Sequence, residues 1–184
     1  MKIEETNLRD CLLIHDTVFD DDRGYFFESF NADRFCKLTG KYMTFVQDNQ
    51  SHSTKGVLRG IHFQIGEFAQ AKLVRVVKGR VLDVAVDLRK SSPTFGKYFS
   101  AILSDTSKTQ LFVPRGFGHG FVVLSDEVDF VYKCDNFYNK AAEGGIKYND
   151  PFININWQMP EDQLLVSEKD LLLPNFYMKN SYFL

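Results

Sequence analysis

Four ionisable or phenolic side chains in otherwise apolar segments are the strongest chemical signal in this sequence. Arg59 and His62 lie in residues 56–64, which have the composition of a buried strand, while Lys72 opens the next apolar run and Tyr132 lies within a later one. Such groups are costly to bury unless they are paired or used. Each one alone is better explained as a satisfied core residue, but the four together favour a site. A base, an acid and two cations around one barrel interior would suit proton transfer at a carbon atom of an anionic substrate.

His62 is the candidate general base, because an imidazole is suited to removing a proton at neutral pH. It would need a carboxylate on its other ring nitrogen to orient it. The best candidates for that partner are Asp83, Asp87 and Asp170. Their spacing does not choose between them, so the residues alone leave three alternatives.

The remaining groups fit complementary roles. Tyr132 has one proton to give and is neutral at pH 7, so it is the candidate proton donor. Lys72 would stabilise the oxygen of a developing enolate. Arg23 and Arg59 could hold phosphates as bidentate clamps. The three aspartates before Arg23 also fit an ordinary solvated turn, so Arg23 alone is a weak signal.

The histidines also raise the question of a metal. His15 and His52 lie among polar neighbours, whereas His62 and His119 lie in apolar surroundings. A transition-metal site usually has three protein ligands, and the strand around His62 has the sequence His-Phe-Gln rather than His-x-His. We therefore predict no metal site.

Short strands must supply most of the framework for these residues. Many short strands with close turn signals predict an all-β sandwich or barrel. The clearest helix signal covers residues 31–40, with Asn31 as N-cap and Gly40 as the C-terminal stop. The last third is expected to form loops and a short helix over the barrel. Further strands are predicted at residues 72–78, 81–89, 98–103, 110–113, 120–124 and 128–133.

The strand predicted around His62 presents a geometric difficulty. Arg59 and His62 differ in parity, so a regular strand would point them to opposite faces. Both are nevertheless assigned to one pocket. Gly60 lies between them, and we predict a β-bulge or bend there that shifts the phase of the strand.

Composition limits the class of protein. At 184 residues, with 18 Phe, the chain is expected to be one domain, residues 1–184, with a substantial core. Its net charge of −2 gives no general attraction to nucleic acid or to an anionic membrane. The N-terminus is polar and resembles no signal peptide. Three widely spaced cysteines predict reduced thiols and a cytoplasmic location.

A series of short motifs occurs in order across about residues 20–174. They cover residues 23–28, 47–51, 56–64, 72–76, 83–87, 92–96, 113–121, 132–133, 143–146, 149–151 and 167–170. In these motifs the sequence resembles the dTDP-4-dehydrorhamnose 3,5-epimerase family of nucleotide-sugar enzymes. No single motif is decisive, but the ordered set is specific.

The resemblance implies a cofactor-free cupin jelly roll that works as a homodimer. It implies that His62 accepts the proton with Asp170 as its carboxylate partner, that Tyr132 donates the proton and that Lys72 lies at the keto oxygen. The substrate would be a dTDP-4-keto-6-deoxy-hexose. Epimerisation at carbons 3 and 5 would give dTDP-4-keto-L-rhamnose.

The resemblance also implies a set of substrate contacts. Arg23 and Glu28 would come from the partner subunit, and Tyr138 would stack on thymine. Rival functions are a 3-only epimerase, an epimerase of another nucleotide sugar, a metal-dependent cupin oxygenase and a non-catalytic sugar-binding jelly roll. The implied contacts are Arg23, Glu28, Gln47, Asn49, Arg59, His119, Tyr138, Glu143 and Lys169.

Overall fold

Two antiparallel sheets packed face to face form the body of the protein. The computed structural model describes residues 1–178 and 182–183. In spatial order, the first sheet consists of β1 (Lys2–Glu5), β2 (Leu12–His15), β10 (Thr109–Val113), β7 (Lys72–Lys78), β12 (Glu127–Cys134) and β5 (Gln47–Thr54). The second consists of β13 (Glu143–Gly145), β6 (Val57–Gln64), β11 (Phe117–Val123), β8 (Arg80–Asp87) and β9 (Tyr98–Ser104), with β14 (Leu165–Val166) parallel to β6. The predicted all-β jelly roll is confirmed.

Smaller elements surround the sandwich. β3 (Phe19–Asp21) and β4 (Gly24–Phe26) form a separate hairpin. The helices are α1 (Ala32–Thr39) and α2 (Glu168–Leu171), with 3-10 turns at Gly66–Phe68, Lys140–Ala142 and Glu161–Gln163. Within the described residues, no helix is long and apolar enough to cross a membrane.

Strand β8 shows how the alternating pattern builds the core. Val81 and Ala85 face the interior between the sheets, where they pack with apolar residues of both sheets. Leu82, Val84 and Val86 face a second apolar cluster on the outer side. The period-two pattern of the sequence thus correctly predicts both faces of this strand.

Helix α1 forms as its sequence predicts. Asn31 accepts a hydrogen bond from the Arg34 amide at the N-terminus, and Gly40 ends the helix with a φ of 67°. Phe35 is fully buried against Leu73 and Phe112 on the outer face of the first sheet. The helix therefore leaves the opposite, interior face of that sheet to form the cavity described below.

Candidate active site

A cavity of about 800 Å³ opens between the two sheets and adjoins a smaller one of about 250 Å³. Four predicted site residues line both cavities: Asn49, His62, Lys72 and Tyr132. Of the thirteen predicted site residues, eleven line one or both. The other seven are Arg59, His119, Lys169 and Asp170 in the larger cavity, with Gln47, Tyr138 and Glu143 in the smaller one.

A bulge in β6 brings Arg59 and His62 to the same cavity. His119 of β11 pairs with His62, but Phe121, two residues on, pairs with Arg59, three residues back. β6 therefore carries one extra residue here, which confirms the predicted bulge. Gly60 has a φ of +128°, and a Cβ on it would lie 2.6 Å from the Gly120 Cα, so only glycine fits.

His62 is held by a buried carboxylate. Its Nε2 lies 2.7 Å from Oδ1 of Asp170, whose side chain is only 5% exposed. Asp170 also accepts a bond from the Gly60 amide at 3.3 Å, and its own amide is capped by Ser167 at the start of α2. Burial acts to raise the pKa of Asp170, but its hydrogen bond to His62 helps to bring it below the usual range. Nδ1 of His62 has no hydrogen-bonding partner in the described part of the chain, so it is free to act as a base.

Each of the three aspartates that the sequence offered as a partner for His62 has a different hydrogen-bonding partner in the structure. Asp83 is bonded to His119, with 3.0 and 3.1 Å from Nε2 to its two oxygens. Asp87 is bonded to Arg89. Of these three carboxylates, Asp170 is the one that contacts His62, as the family resemblance implies.

Lys72 and Tyr132 lie on the first sheet, opposite the strand that carries His62. The Lys72 ammonium is 5.7 Å from the centroid of the Tyr132 ring and makes no ion pair within residues 1–178 and 182–183. Burial lowers the pKa of Lys72 and raises the pKa of Tyr132. At neutral pH the phenol therefore keeps its proton, and an unpaired nitrogen donor lies beside it.

Arg59 and His119 extend the polar lining of the larger cavity. The Arg59 Nε donates to the Ser53 hydroxyl at 3.1 Å, and no described carboxylate lies within ion-pair distance of its guanidinium. Its terminal nitrogens are therefore available for an anion. Ser53 lies on β5, and nothing in that polar stretch of sequence indicated this contact.

A hydrogen-bonded chain lines the smaller cavity and its rim. Glu143 accepts bonds from the Tyr138 hydroxyl at 3.0 Å and from the Lys169 ammonium at 2.6 Å. Burial acts to raise the pKa of Glu143, but its bonds to Lys169 and Tyr138 help to bring it below the usual range. Gln47 accepts from the Tyr138 amide and donates to Asn49 at 2.9 Å. These contacts give the rim a defined shape.

Two predicted site residues lie away from both cavities. Arg23 is at the turn of the β3–β4 hairpin, where it pairs with Asp21 and its side chain is 89% exposed. Glu28 pairs with Arg34 and Asn31 at the start of α1. Within one subunit the structure therefore does not bring these two residues to His62.

The polar side chains of the site are suited to proton transfer and hydrogen bonding. Among the described residues, no group of three or more His, Cys, Asp or Glu side chains is arranged to hold a metal ion. The segment 164–167, which includes β14, also lines the larger cavity; Ser167 belongs to a matched family motif, but the sequence gave no signal for residues 164–166.

Comparison with known proteins identifies the family. Residues 5–177 match the family model described as dTDP-4-dehydrorhamnose 3,5-epimerase. The Shigella flexneri protein of that name is 54% identical over 93% of both chains. The crystal structure of the Elizabethkingia anophelis 3,5-epimerase shares 56% identity and a TM-score of 0.94 over 98% of both chains. A Legionella pneumophila structure solved with dTDP-4-keto-L-rhamnose shares 44% identity and a TM-score of 0.89, covering 96% of this chain and 98% of its own. This chain belongs to the dTDP-4-dehydrorhamnose 3,5-epimerase family.

Proposed function

We propose that this chain is an isomerase that epimerises a dTDP-4-keto-6-deoxy-hexose at carbons 3 and 5 to give dTDP-4-keto-L-rhamnose. The observation that carries the proposal is the placement of a base and an acid on opposite walls of one cavity. His62 lies on the second sheet, where Asp170 of α2 contacts it, and Tyr132 and Lys72 lie on the first sheet. A sugar ring between the sheets would meet a base on one face and an acid on the other.

The chemistry follows from the ketone at carbon 4. Nδ1 of His62 takes the proton from the adjacent carbon, and the electrons of that C–H bond move to the carbonyl oxygen to form an enolate. The Lys72 ammonium stabilises this oxygen. The Tyr132 hydroxyl then gives its proton to the opposite face of the carbon, which inverts the centre. Proton exchange with solvent resets both residues, and no electrons are gained or lost overall, so the proposal includes no cofactor.

One base can serve both carbons. In a ring of D-gluco configuration the hydrogens on carbons 3 and 5 are axial on the same face. His62 would therefore approach both from one side, and Tyr132 would return both protons from the other. The use of one base and one acid for both carbons fits this cavity, because His62 and Tyr132 lie on its facing walls.

The nucleotide would be held by the rest of the lining. Arg59 has no carboxylate partner among the described residues and is suited to the diphosphate. Tyr138, 53% exposed at the rim, would stack on thymine. Gln47, Asn49, His119, Glu143 and Lys169 would complete the contacts.

The site would be completed by a second subunit in a homodimer. The β3–β4 hairpin carries Arg23 and exposes Phe19, Tyr25 and Phe26, each more than half exposed. Exposed aromatic clusters of this kind mark interaction surfaces. Arg23 and Glu28 would then reach the partner's cavity. Consistent with reaction in the cytoplasm, the three cysteines are unpaired thiols.

The test is proton exchange followed by NMR. The wild-type protein is incubated with dTDP-4-keto-6-deoxy-glucose in deuterated water. We expect deuterium at carbons 3 and 5 and the L-rhamnose configuration in the product. Deuterium at carbon 3 alone would indicate a 3-only epimerase, and no exchange at either carbon would refute the proposal. His62→Asn should abolish exchange, whereas His52→Asn, on the surface of β5, should leave it unchanged.

A further inference from the structure

A second histidine–carboxylate pair, His119 and Asp83, lies beside the first and takes no part in the proton transfer described above. His119 of β11 is the cross-strand partner of His62. Its Nε2 contacts both oxygens of Asp83 on the neighbouring strand β8. The two side chains are 7% and 0% exposed. His119 therefore lines the wall of the larger cavity, and the fully buried Asp83 lies behind it.

Burying the Asp83 carboxylate costs free energy unless hydrogen bonds compensate for the water it has lost. A buried carboxylate needs hydrogen-bond donors, and within the described residues His119 supplies the hydrogen bonds that Asp83 receives. A carboxylate accepts and does not donate, so Nε2 must carry the proton in this contact. The other ring nitrogen, Nδ1, has no hydrogen-bonding partner in residues 1–178 and 182–183.

We infer that Asp83 is a positioning residue that fixes the Nε2–H tautomer of His119, so that Nδ1 accepts a hydrogen bond from a hydroxyl group of the sugar. This inference rests on the proposed function, because it needs a sugar in the cavity. In the neutral imidazole Nδ1 is an acceptor. The diphosphate and the ketone offer it no proton, whereas the sugar hydroxyls do. His119 would therefore read the sugar, and Asp83 would act through it.

The first test needs no variant of Asp83. Nitrogen-15 NMR of the wild-type histidine rings distinguishes the two tautomers, and His119→Asn identifies the His119 signals. We expect protonated Nε2 and unprotonated Nδ1 near pH 7.5. A protonated Nδ1 would overturn the inference. The measurement does not depend on turnover, so it separates this inference from the proposed function, which fails if wild-type protein exchanges no deuterium.

The second test is Asp83→Asn, which keeps the shape but lets an amide N–H face Nε2. The other tautomer then becomes favoured, and Nδ1 turns from acceptor to donor, as for other His–Asp pairs. We expect kcat/KM for the 4-keto sugar nucleotide to fall about 10- to 100-fold, while the Kd of dTDP alone stays unchanged. An unchanged tautomer or kcat/KM would overturn the inference, and so would an equal loss of dTDP affinity.

A matched control exists on the surface. His52 and Asp129 form the same kind of pair, 2.9 Å apart, with His52 more than half exposed outside the cavity. Asp129→Asn should leave kcat/KM and the His119 signals unchanged. Thermal unfolding of both variants checks that any loss of activity in Asp83→Asn is not a loss of fold.

Discussion

Replacing Lys72 by methionine should make the protein more stable and nearly inactive. Lys72 is a half-buried cation with no carboxylate partner in the described residues, and its ammonium lies 5.7 Å from the Tyr132 ring. Removing a single donor from a developing oxyanion costs about 10²–10³-fold in kcat, or about 2.7–4 kcal/mol. Replacing a buried ion pair by apolar groups of similar size can stabilise by about 1–4 kcal/mol, and an unpaired charge lacks even the attraction that offsets its burial. Because Lys72 is partly open to the cavity, we expect the lower end, about 1 kcal/mol.

The pH dependence of this stability gain has a definite sign. Burial lowers the pKa of Lys72 in the folded protein below its ordinary value of 10.5. Between those two pKa values the unfolded chain binds more protons, so the wild-type free energy of unfolding rises with pH through this contribution. The advantage of Lys72→Met should therefore be greatest below the folded-state pKa of Lys72 and should shrink as the pH approaches 10.5.

Urea unfolding at pH 7 and pH 10 and steady-state kinetics test both effects. Lys97→Met removes an exposed lysine and is the matched control, for which we expect no loss of kcat and little change in stability. A Lys72→Met protein that is less stable than wild type at pH 7, or that keeps its kcat, would refute this account of Lys72.

Two further predictions concern the strand geometry and the assembly. In urea unfolding, Gly60→Ala should destabilise the protein by about 1–3 kcal/mol more than Gly24→Ala. Both glycines have a φ near +130°, but only a Cβ at Gly60 would meet backbone, at Gly120. Equal losses of stability would contradict the close packing of Gly60 against Gly120. Mixing Arg23→Ala with His62→Asn subunits should restore activity, since one site of each heterodimer would carry neither defect; demonstrated subunit exchange without activity would rule out a shared site.

Much of the framework could be predicted because apolar residues alternate in it. In β8 the alternation assigned both faces correctly, and Asn31 and Gly40 marked the ends of α1. Strand β5 was not predicted, because its sequence Gln-Asp-Asn-Gln-Ser-His-Ser-Thr has no apolar face. It lies at the edge of the first sheet and turns polar side chains to the cavity. An edge strand that lines a polar site therefore loses the pattern by which strands are recognised.

The candidate site shows a similar division. The residue types identified His62, Lys72 and Tyr132, because polar groups in apolar strands are conspicuous. The carboxylate partner of His62 could not be chosen from the residues alone, since Asp170 is 108 positions away along the chain. Only the three-dimensional fold, in which α2 packs beside β6, brings the two together. The family resemblance supplied that choice, and the shared site and cytoplasmic location stay predictions.

Tyr132→Phe tests whether the proton is delivered from the wall of the cavity opposite His62. The variant removes one oxygen and keeps the ring that packs beside Phe130. Incubation with the 4-keto substrate in deuterated water should give deuterium in substrate of unchanged configuration, because His62 still exchanges protons. Product formation should fall at least about 10²-fold. Tyr42→Phe, at a residue that is 84% exposed, should behave as wild type. Full inversion by Tyr132→Phe at the wild-type rate would contradict the account.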